Sequence, residues 1–152
     1  MLKLFNKMAG PGITQAGKEI NVPVTSTDFY PTLLEMADLS LIPDQHKDGK
    51  SLVPLLKKGK TPDREAIFWH YPHYSNQGAK PGGAVRKNNY KLIENYEDGS
   101  LELYNLEKDI EEANNLVEEN PDKVEDLKKL LDDWKHQVDA KGMVVNPSYQ
   151  AY

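Results

Sequence analysis

The fold is decided by residues 64–106, which read REAIFWHYPHYSNQGAKPGGAVRKNNYKLIENYEDGSLELYNL. This stretch holds three or four short runs rich in β-branched and aromatic residues, and Pro, Gly, Asn and Asp separate them. Such runs with such breaks are typical of antiparallel strands that follow one another in a meander. We therefore predict a small antiparallel sheet of about four strands.

The best-defined hairpin is predicted within residues 90–106. Apolar residues alternate with polar ones on both sides of the segment 97–100, at Leu92, Tyr96, Leu101 and Leu103. Gly99 stands at the third place of this short turn. Because glycine adopts a positive φ without strain, it suits the reversal of the chain at this point.

A long helix is predicted from about residue 121 to about residue 140, with Gly142 beyond its end. Asn120, Pro121 and Asp122 supply a cap, a first-turn proline and a carboxylate that the helix dipole favours. At 100° per residue its apolar side chains fall within about 120° of arc. These residues are Val124, Leu127, Leu130, Leu131, Trp134 and Val138. We expect this face to lie across the sheet, which gives an α+β fold.

A shorter helix of about three turns is predicted at about residues 27–38. Ser26, Thr27 or Asp28 can cap it, Pro31 falls in its first turn, and its apolar stripe consists of Phe29, Leu33 and Met36 or Ala37. A single helical turn is predicted at residues 51–57, capped by Ser51 and ending before Gly59.

Composition describes an ordinary soluble globular chain of 152 residues, of which 38% are hydrophobic and 28% charged. There is no cysteine, which excludes disulfides, thiolate metal sites and a cysteine nucleophile. The opening ten residues lack the continuous apolar core of a signal peptide, and no run approaches membrane-spanning length. As written, the chain is expected to be cytoplasmic and to make no membrane contact.

The negative charge is concentrated near the C-terminus. The net charge is −5, and residues 106–140 hold twelve Asp and Glu against five Lys, so the remaining residues carry a balance of +2. An acidic helix is usually a solvated surface, and it repels phosphates, so a nucleic-acid partner is not expected. The sheet region is the better place for an anionic ligand.

Aromatic, imidazole and cationic side chains converge only in the sheet region. The candidate substrate-binding residues are His70, Tyr71, His73, Tyr74, Arg86 and Lys91. A cation beside aromatic rings is the combination that recognises a sulfated or carboxylated sugar. The alternative for the histidines is packing or hydrogen bonding within the fold, and the alternative for the cations is a solvated surface.

Metal binding and catalysis find little support in the sequence. His70 and His73 flank Pro72, and in a strand or turn this spacing does not bring both rings to one metal ion; no third ligand follows at a suitable distance. We recognise no Ser or Thr nucleophile with a base, no paired carboxylates and no two-aspartate cluster. The segment 81–83, PGG, lacks the setting of a phosphate loop and is interpreted as a connection between strands.

A series of short motifs resembles the second half of type I sulfatases of the arylsulfatase family, in the order and spacing of that family. The motifs are Pro11-Gly12, PVTSTDFYPTLL at 23–34, DGKSLVPLL at 48–56, AVRKNNYKLI at 84–93, ELYNL at 102–106 and DIEEANNL at 109–116. WHYPHY at 69–74 and NPSY at 146–149 resemble the bacterial members most closely. The resemblance covers roughly residues 10–150.

The resemblance implies the C-terminal subdomain of the alkaline-phosphatase-like sulfatase fold, a sheet of about four strands with a long helix packed on it. Residues 63–152 would form this subdomain, and residues 1–62 would be a remnant of the C-terminal edge of the catalytic domain. Family members use a formylglycine, made from a Cys/Ser-x-Pro-x-Arg motif, and a calcium ion, both in an N-terminal domain. This sequence contains neither version of the motif.

The resemblance therefore implies a sulfatase fragment that completes the fold and borders the substrate cleft without being catalytic alone. Its partners would be the N-terminal sulfatase domain and a sulfated carbohydrate, and complete family members are often periplasmic or secreted. The alternative is a free-standing module that binds an anionic glycan or a protein. An apolar patch at Phe29, Leu33, Leu55 or Leu56, left open by the absent domain, would favour a symmetric homodimer.

Overall fold

A computed structural model of the chain describes residues 10–14, 17–76, 78 and 80–144. The chain divides into two compact units, one within residues 2–64 and one within residues 65–152. Assignment of the first unit to the edge of a catalytic domain stays a prediction. The NPSY motif at 146–149 lies outside the described residues, as does the opening segment on which the expectation about export rests.

Two short α-helices lie in the described part of the N-terminal unit. Helix α1, Phe29–Met36, follows a 3-10 turn at Ser26–Asp28, and helix α2 covers Val53–Lys58. A second 3-10 turn lies at Pro43–Gln45. The predicted short helix is confirmed, although it ends at Met36 and not at about residue 38. Asp38 terminates it by adopting a left-handed conformation with φ of 57°.

A buried polar network, and not an apolar stripe, fixes one side of α1. The Asp28 carboxylate is fully buried, accepts hydrogen bonds from the backbone N–H of Thr25 (2.8 Å) and Lys50 (2.9 Å), and forms an ion pair with Arg64. The Thr32 hydroxyl donates to the Asp28 carbonyl (2.5 Å) and accepts from the Leu52 N–H (2.8 Å). Because a buried carboxylate needs this complete set of donors, the network specifies how α1 packs in its unit.

Leu33, in the apolar stripe of α1, is 58% exposed, which agrees with the predicted apolar patch at this position. Pro31 and Thr32 are buried instead, because the network of Asp28 and Thr32 turns that side of the helix inward. The predicted patch is wrong at Leu55, which is buried on α2. Helix α2 ends before Gly59 as predicted, and Gly59 adopts a φ of 70°. Its N-cap is Leu52 and not the predicted Ser51, whose hydroxyl nevertheless accepts a hydrogen bond from the Val53 N–H.

The C-terminal unit is a four-stranded antiparallel sheet with one long helix packed on it, as predicted. The strands are β1 (Ile67–Tyr71), β2 (Gly82–Lys87), β3 (Tyr90–Asn95) and β4 (Leu101–Asn105), and they neighbour one another in sequence order. The helix, α3, is Pro121–Gln137.

The strand register confirms the predicted hairpin and corrects one connection. Leu92 faces Leu103 across β3 and β4, and Gly99 in the turn between them has a φ of 71°. Gly82 and Gly83, interpreted from the sequence as part of a strand connection, are instead the first residues of β2. Gly83 pairs with His70, and its missing side chain leaves room for the Tyr96 ring.

The core of this unit lies between one face of the sheet and α3. Its fully buried members are Val85, Leu92, Leu103, Leu127 and Leu131. At the edge of this core the rings of Phe68 and Trp134 stack, with centroids 4.8 Å apart and planes 4° from parallel. Dispersion and apolar burial along this seam hold α3 to the sheet.

Helix α3 ends at Gln137, before the predicted end near Ala140. Asp139 has a φ of 50°, and the N–H of Ala140 donates to the carbonyl of Lys135 (2.9 Å), which is the hydrogen bond of a Schellman motif. Val138 therefore lies past the last helical residue and is 47% exposed, so its predicted place on the buried face is wrong. Within the described part of the chain, no helix is long and apolar enough to span a membrane.

Candidate functional site

The six predicted site residues do not lie together, because they are distributed over two faces of the sheet and one loop. His70 lies on the sheet face that α3 covers, whereas Tyr71, Arg86 and Lys91 lie on the opposite face by the alternation of β1, β2 and β3. His73 and Tyr74 belong to the loop that follows β1. The structure therefore brings Tyr71, Arg86 and Lys91 to one face and separates His70 from them.

The His70 ring is held by two hydrogen bonds. Its Nδ1 lies 2.6 Å from the Tyr96 hydroxyl, and its Nε2 lies 2.8 Å from the carbonyl oxygen of Lys141. Because a carbonyl oxygen can only accept, Nε2 donates to it, which leaves Nδ1 to accept from the Tyr96 hydroxyl. Both ring nitrogens are thus engaged within the fold, as the packing alternative for this histidine expected.

The Tyr96 side chain reaches His70 across Gly83. A Cβ atom on Gly83 would overlap the Tyr96 hydroxyl, so a glycine is needed at this position. Burial raises the pKa of Tyr96, Lys135 opposes this effect, and Glu94 and Asp132 add to it. The phenol therefore stays protonated and donates to the imidazole.

An open cleft of about 480 Å³ lies beside this pair and is bordered by the end of α3. Two lysines and two carboxylates form a closed, neutral network along it: Lys128 and Lys135 both contact Glu94 and Asp132. Burial lowers the pKa of Lys135, but its hydrogen bonds to Glu94 and Asp132 outweigh this and raise it. These cations are already neutralised, so the cleft offers little attraction to an anion.

The loop after β1 is tied to the turn between β3 and β4. The Tyr74 hydroxyl donates to Glu97 (2.7 Å), and Lys80 lies 3.0 Å from the same carboxylate. These two contacts lower the pKa of Glu97. Nearer the strand, the His73 ring meets the Tyr71 ring edge to face at 5.5 Å. The predicted aromatic residues are therefore anchored in defined positions.

The two predicted cations differ in their surroundings. Lys91 forms an ion pair with Glu112 at 2.7 Å, with both side chains largely buried. Arg86 is half-buried, and its Nε lies 3.5 Å from the carbonyl of Asn88. Burial lowers the pKa of Arg86, and the charge of Glu112 partly offsets this. An anionic ligand would have to compete with Glu112 for Lys91, whereas at Arg86 its charge would compensate the unfavourable burial of the guanidinium.

Sequence reasoning missed Trp69. It lies on the same face as Tyr71, two residues earlier on β1, and 41% of it is exposed. The period of two along a strand was sufficient to place it beside Tyr71 and away from His70. The described residues contain no group of three or more His, Asp or Glu able to hold a metal ion. The calcium ion that the family resemblance implies is expected in the N-terminal domain and not in this chain.

Comparison with known proteins assigns the family. The family model described as N-sulphoglucosamine sulphohydrolase, C-terminal, matches residues 4–140. The chain belongs to this family of sulfatase C-terminal domains. Similar full-length proteins include a sulfatase of Formosa agariphila, 38% identical over 73% of this chain and 22% of the relative. Arylsulfatase K of Danio rerio is 33% identical over 80% of the chain and 24% of the relative.

Solved structures agree with this assignment. An enzyme in complex with its substrate, D-glucosamine-2-N,6-O-disulfate, is 34% identical and has a TM-score of 0.61, over 72% of this chain and 23% of that one. The protein Ps i-CgsB is 26% identical with a TM-score of 0.67, over 82% of this chain and 27% of that one. The sulfatase C-terminal domain described here thus spans about a quarter of the length of its relatives.

Proposed function

We propose that this chain is the C-terminal subdomain of a sulfatase that acts on a sulfated carbohydrate. It completes the fold of the catalytic domain and borders its substrate cleft, and it is not catalytic alone. The observation that carries the proposal is the match of the sulfatase C-terminal family to residues 4–140, together with the four-stranded sheet and α3.

The substrate class is supported by what similar proteins act on. One solved relative holds a disulfated glucosamine as its substrate. Another relative is a Delta 4,5-hexuronate-2-O-sulfatase of Bacteroides thetaiotaomicron, 33% identical over 73% of this chain and 23% of that protein. Both substrates are sugars, which suits a sheet face that combines aromatic rings with an arginine.

Inactivity of the chain alone follows from its side chains. The sequence contains no cysteine and no Ser-x-Pro-x-Arg, so it cannot supply the formylglycine nucleophile of the family. A general acid or base alone contributes about 10²–10⁴-fold, whereas enzymes reach accelerations of about 10⁶-fold and more. His70, the best-placed imidazole, is occupied by Tyr96 and the Lys141 carbonyl.

A chimera tests the proposal. This chain would replace the matched quarter of the Formosa agariphila sulfatase, and release of sulfate from sulfated oligosaccharides would be compared with the parent enzyme and with the enzyme lacking that quarter. We expect the chimera to be folded and active, and the truncated enzyme to be inactive. A folded chimera without activity on any substrate of the parent would contradict the proposal and favour a free-standing binding module.

A further inference from the structure

Two large aromatic side chains are exposed side by side on β1. Trp69 is 41% exposed and Tyr71 is 49% exposed, on the sheet face opposite α3. Residues two apart on a strand are about 6.6–6.8 Å apart, so the two rings line one continuous strip. Contiguous apolar surface left in water marks interaction sites, whereas single exposed apolar residues do not.

The residues beside these rings leave them accessible. Trp69 pairs with Ala84 and Tyr71 pairs with Gly82 across β1 and β2, so neither ring has a bulky neighbour on the adjacent strand. The His73 ring meets the Tyr71 ring edge to face, which holds Tyr71 in position before any ligand arrives.

A positive charge lies at the other end of the strip. Arg86 is the diagonal cross-strand neighbour of Trp69, at a separation of about 7–8 Å for such pairs. Among the described residues its guanidinium donates only to the Asn88 carbonyl, at the long distance of 3.5 Å. Lys91 and Glu112 neutralise each other nearby. The half-buried guanidinium thus has donors to spare, and an anion would complement its charge.

We propose that Trp69, Tyr71 and Arg86 together bind a sulfated glycan chain. The apolar C–H faces of its sugars stack on the two aromatic rings, and a sulfate of a neighbouring sugar along the chain accepts hydrogen bonds from Arg86. This inference rests on the proposed function, because it identifies the glycan-contacting surface of the same subdomain. It replaces the broader set of six residues by a smaller one that includes Trp69 and leaves out His70.

Intrinsic fluorescence isolates the key ring, because the chain has only two tryptophans. In a Trp134→Phe background, which keeps an aromatic ring stacked on Phe68, all tryptophan emission comes from Trp69. The probes are a sulfated heparin tetrasaccharide and its desulfated, N-acetylated counterpart. We expect saturable quenching by the sulfated sugar and weaker binding, by at least fivefold, of the desulfated one.

Matched variants, followed by NMR titration of the full chain with both sugars, test each contact. Trp69→Ala and Tyr71→Ala should weaken binding of both sugars at least fivefold, whereas Trp69→Phe should retain most of it. Arg86→Gln should weaken binding of the sulfated sugar and leave that of the desulfated sugar unchanged. Val138→Ala, an exposed apolar residue elsewhere, should change neither. Thermal melts of each variant exclude loss of folding as the cause.

Several outcomes would overturn the inference. These are absence of quenching, binding that is indifferent to Trp69→Ala, or Trp69 emission that changes with protein concentration in the absence of sugar, which would assign the strip to a second copy of the chain. The chimera separates this inference from the proposed function. An active chimera in which Trp69 binds no sugar would contradict only this inference. An inactive chimera that still binds sugar at Trp69 would contradict only the proposed function.

Discussion

The hydroxyl of Tyr96 reaches Nδ1 of His70, at 2.6 Å, by passing over the bare backbone of Gly83. Gly83 is the register partner of His70 on the neighbouring strand. Residues from β1, β2 and the turn after β3 thus meet at one point, and the Nε2 of His70 extends the contact to the chain beyond α3. This pair explains why a glycine occurs inside a strand, where it otherwise weakens the sheet.

A double-mutant cycle tests this relationship. Gly83→Ala should destabilise the C-terminal unit by about 1–3 kcal/mol, because the new methyl group displaces the Tyr96 hydroxyl. Tyr96→Phe should cost about 1 kcal/mol by removing one hydrogen bond. In the Tyr96→Phe background the effect of Gly83→Ala should be clearly smaller, as measured by urea denaturation. Strictly additive losses would show that the two positions do not interact.

Trp134 should be the side chain on which attachment of α3 depends most. We expect Trp134→Ala to cost about 3 kcal/mol, at the low end for such a truncation because the ring keeps some exposure. Val138→Ala, one turn further along and 47% exposed, should change stability by less than about 0.5 kcal/mol. Thermal melting of both variants is the measurement. A Trp134→Ala melt within a degree or two of the parent would show that the stack with Phe68 does not hold the helix.

Stability should fall in strongly alkaline solution because of Tyr104. Burial, followed by its hydrogen bond to Glu102, raises the pKa of Tyr104 from 10.0 to about 12. The unfolded chain loses this proton near pH 10, whereas the folded chain keeps it until about pH 12. The stabilisation that the protonated Tyr104 hydroxyl provides is therefore complete below pH 10 and is lost as the pH rises through 12. Between these values the parent should lose more stability than Tyr104→Phe does. A difference between the two proteins that does not change with pH would contradict the assignment.

Self-association is expected through the N-terminal unit. Among the described residues of this unit, the exposed large apolar side chains are Tyr30, Leu33, Leu39, Leu41 and Ile42. Burial of these side chains against a second copy would remove apolar surface from water and favour a symmetric dimer. Light scattering over a concentration series should show dimers for the parent and monomers for Leu33→Lys. The matched control, Val138→Lys, introduces the same charge in the other unit and should dimerise like the parent. A parent that stays monomeric at high concentration would refute this prediction.

The secondary structure of the C-terminal unit could be predicted well because its local signals agree with one another. Gly99 supplies the positive φ that the hairpin turn needs, and Pro121 begins α3 where a first-turn proline is tolerated. The end of α3 could not be placed as well. Asp139 takes the left-handed position that glycine usually occupies, and nothing in its sequence context marks it for that role.

The buried side of α1 could not be predicted from apolar spacing. The side chains that turn inward include Asp28 and Thr32, because hydrogen-bond donors from distant residues such as Lys50 and Leu52 satisfy them. Long-range partners of this kind leave no periodic pattern in the sequence. The division of the candidate site could have been predicted from the sequence. Strand alternation alone places His70 on one face of the sheet and both Tyr71 and Trp69 on the other.

The central claim is that this chain completes a sulfatase catalytic domain and has no catalysis of its own. The most direct measurement is sulfate release from 4-nitrophenyl sulfate, with calcium, by three samples. These are the chain alone, the truncated Formosa agariphila sulfatase alone, and the two mixed in equal amounts. We predict no turnover above the buffer blank for the chain, little for the truncated enzyme, and clear activity for the mixture. Turnover by the purified chain alone, or a mixture no more active than the truncated enzyme, would contradict the account.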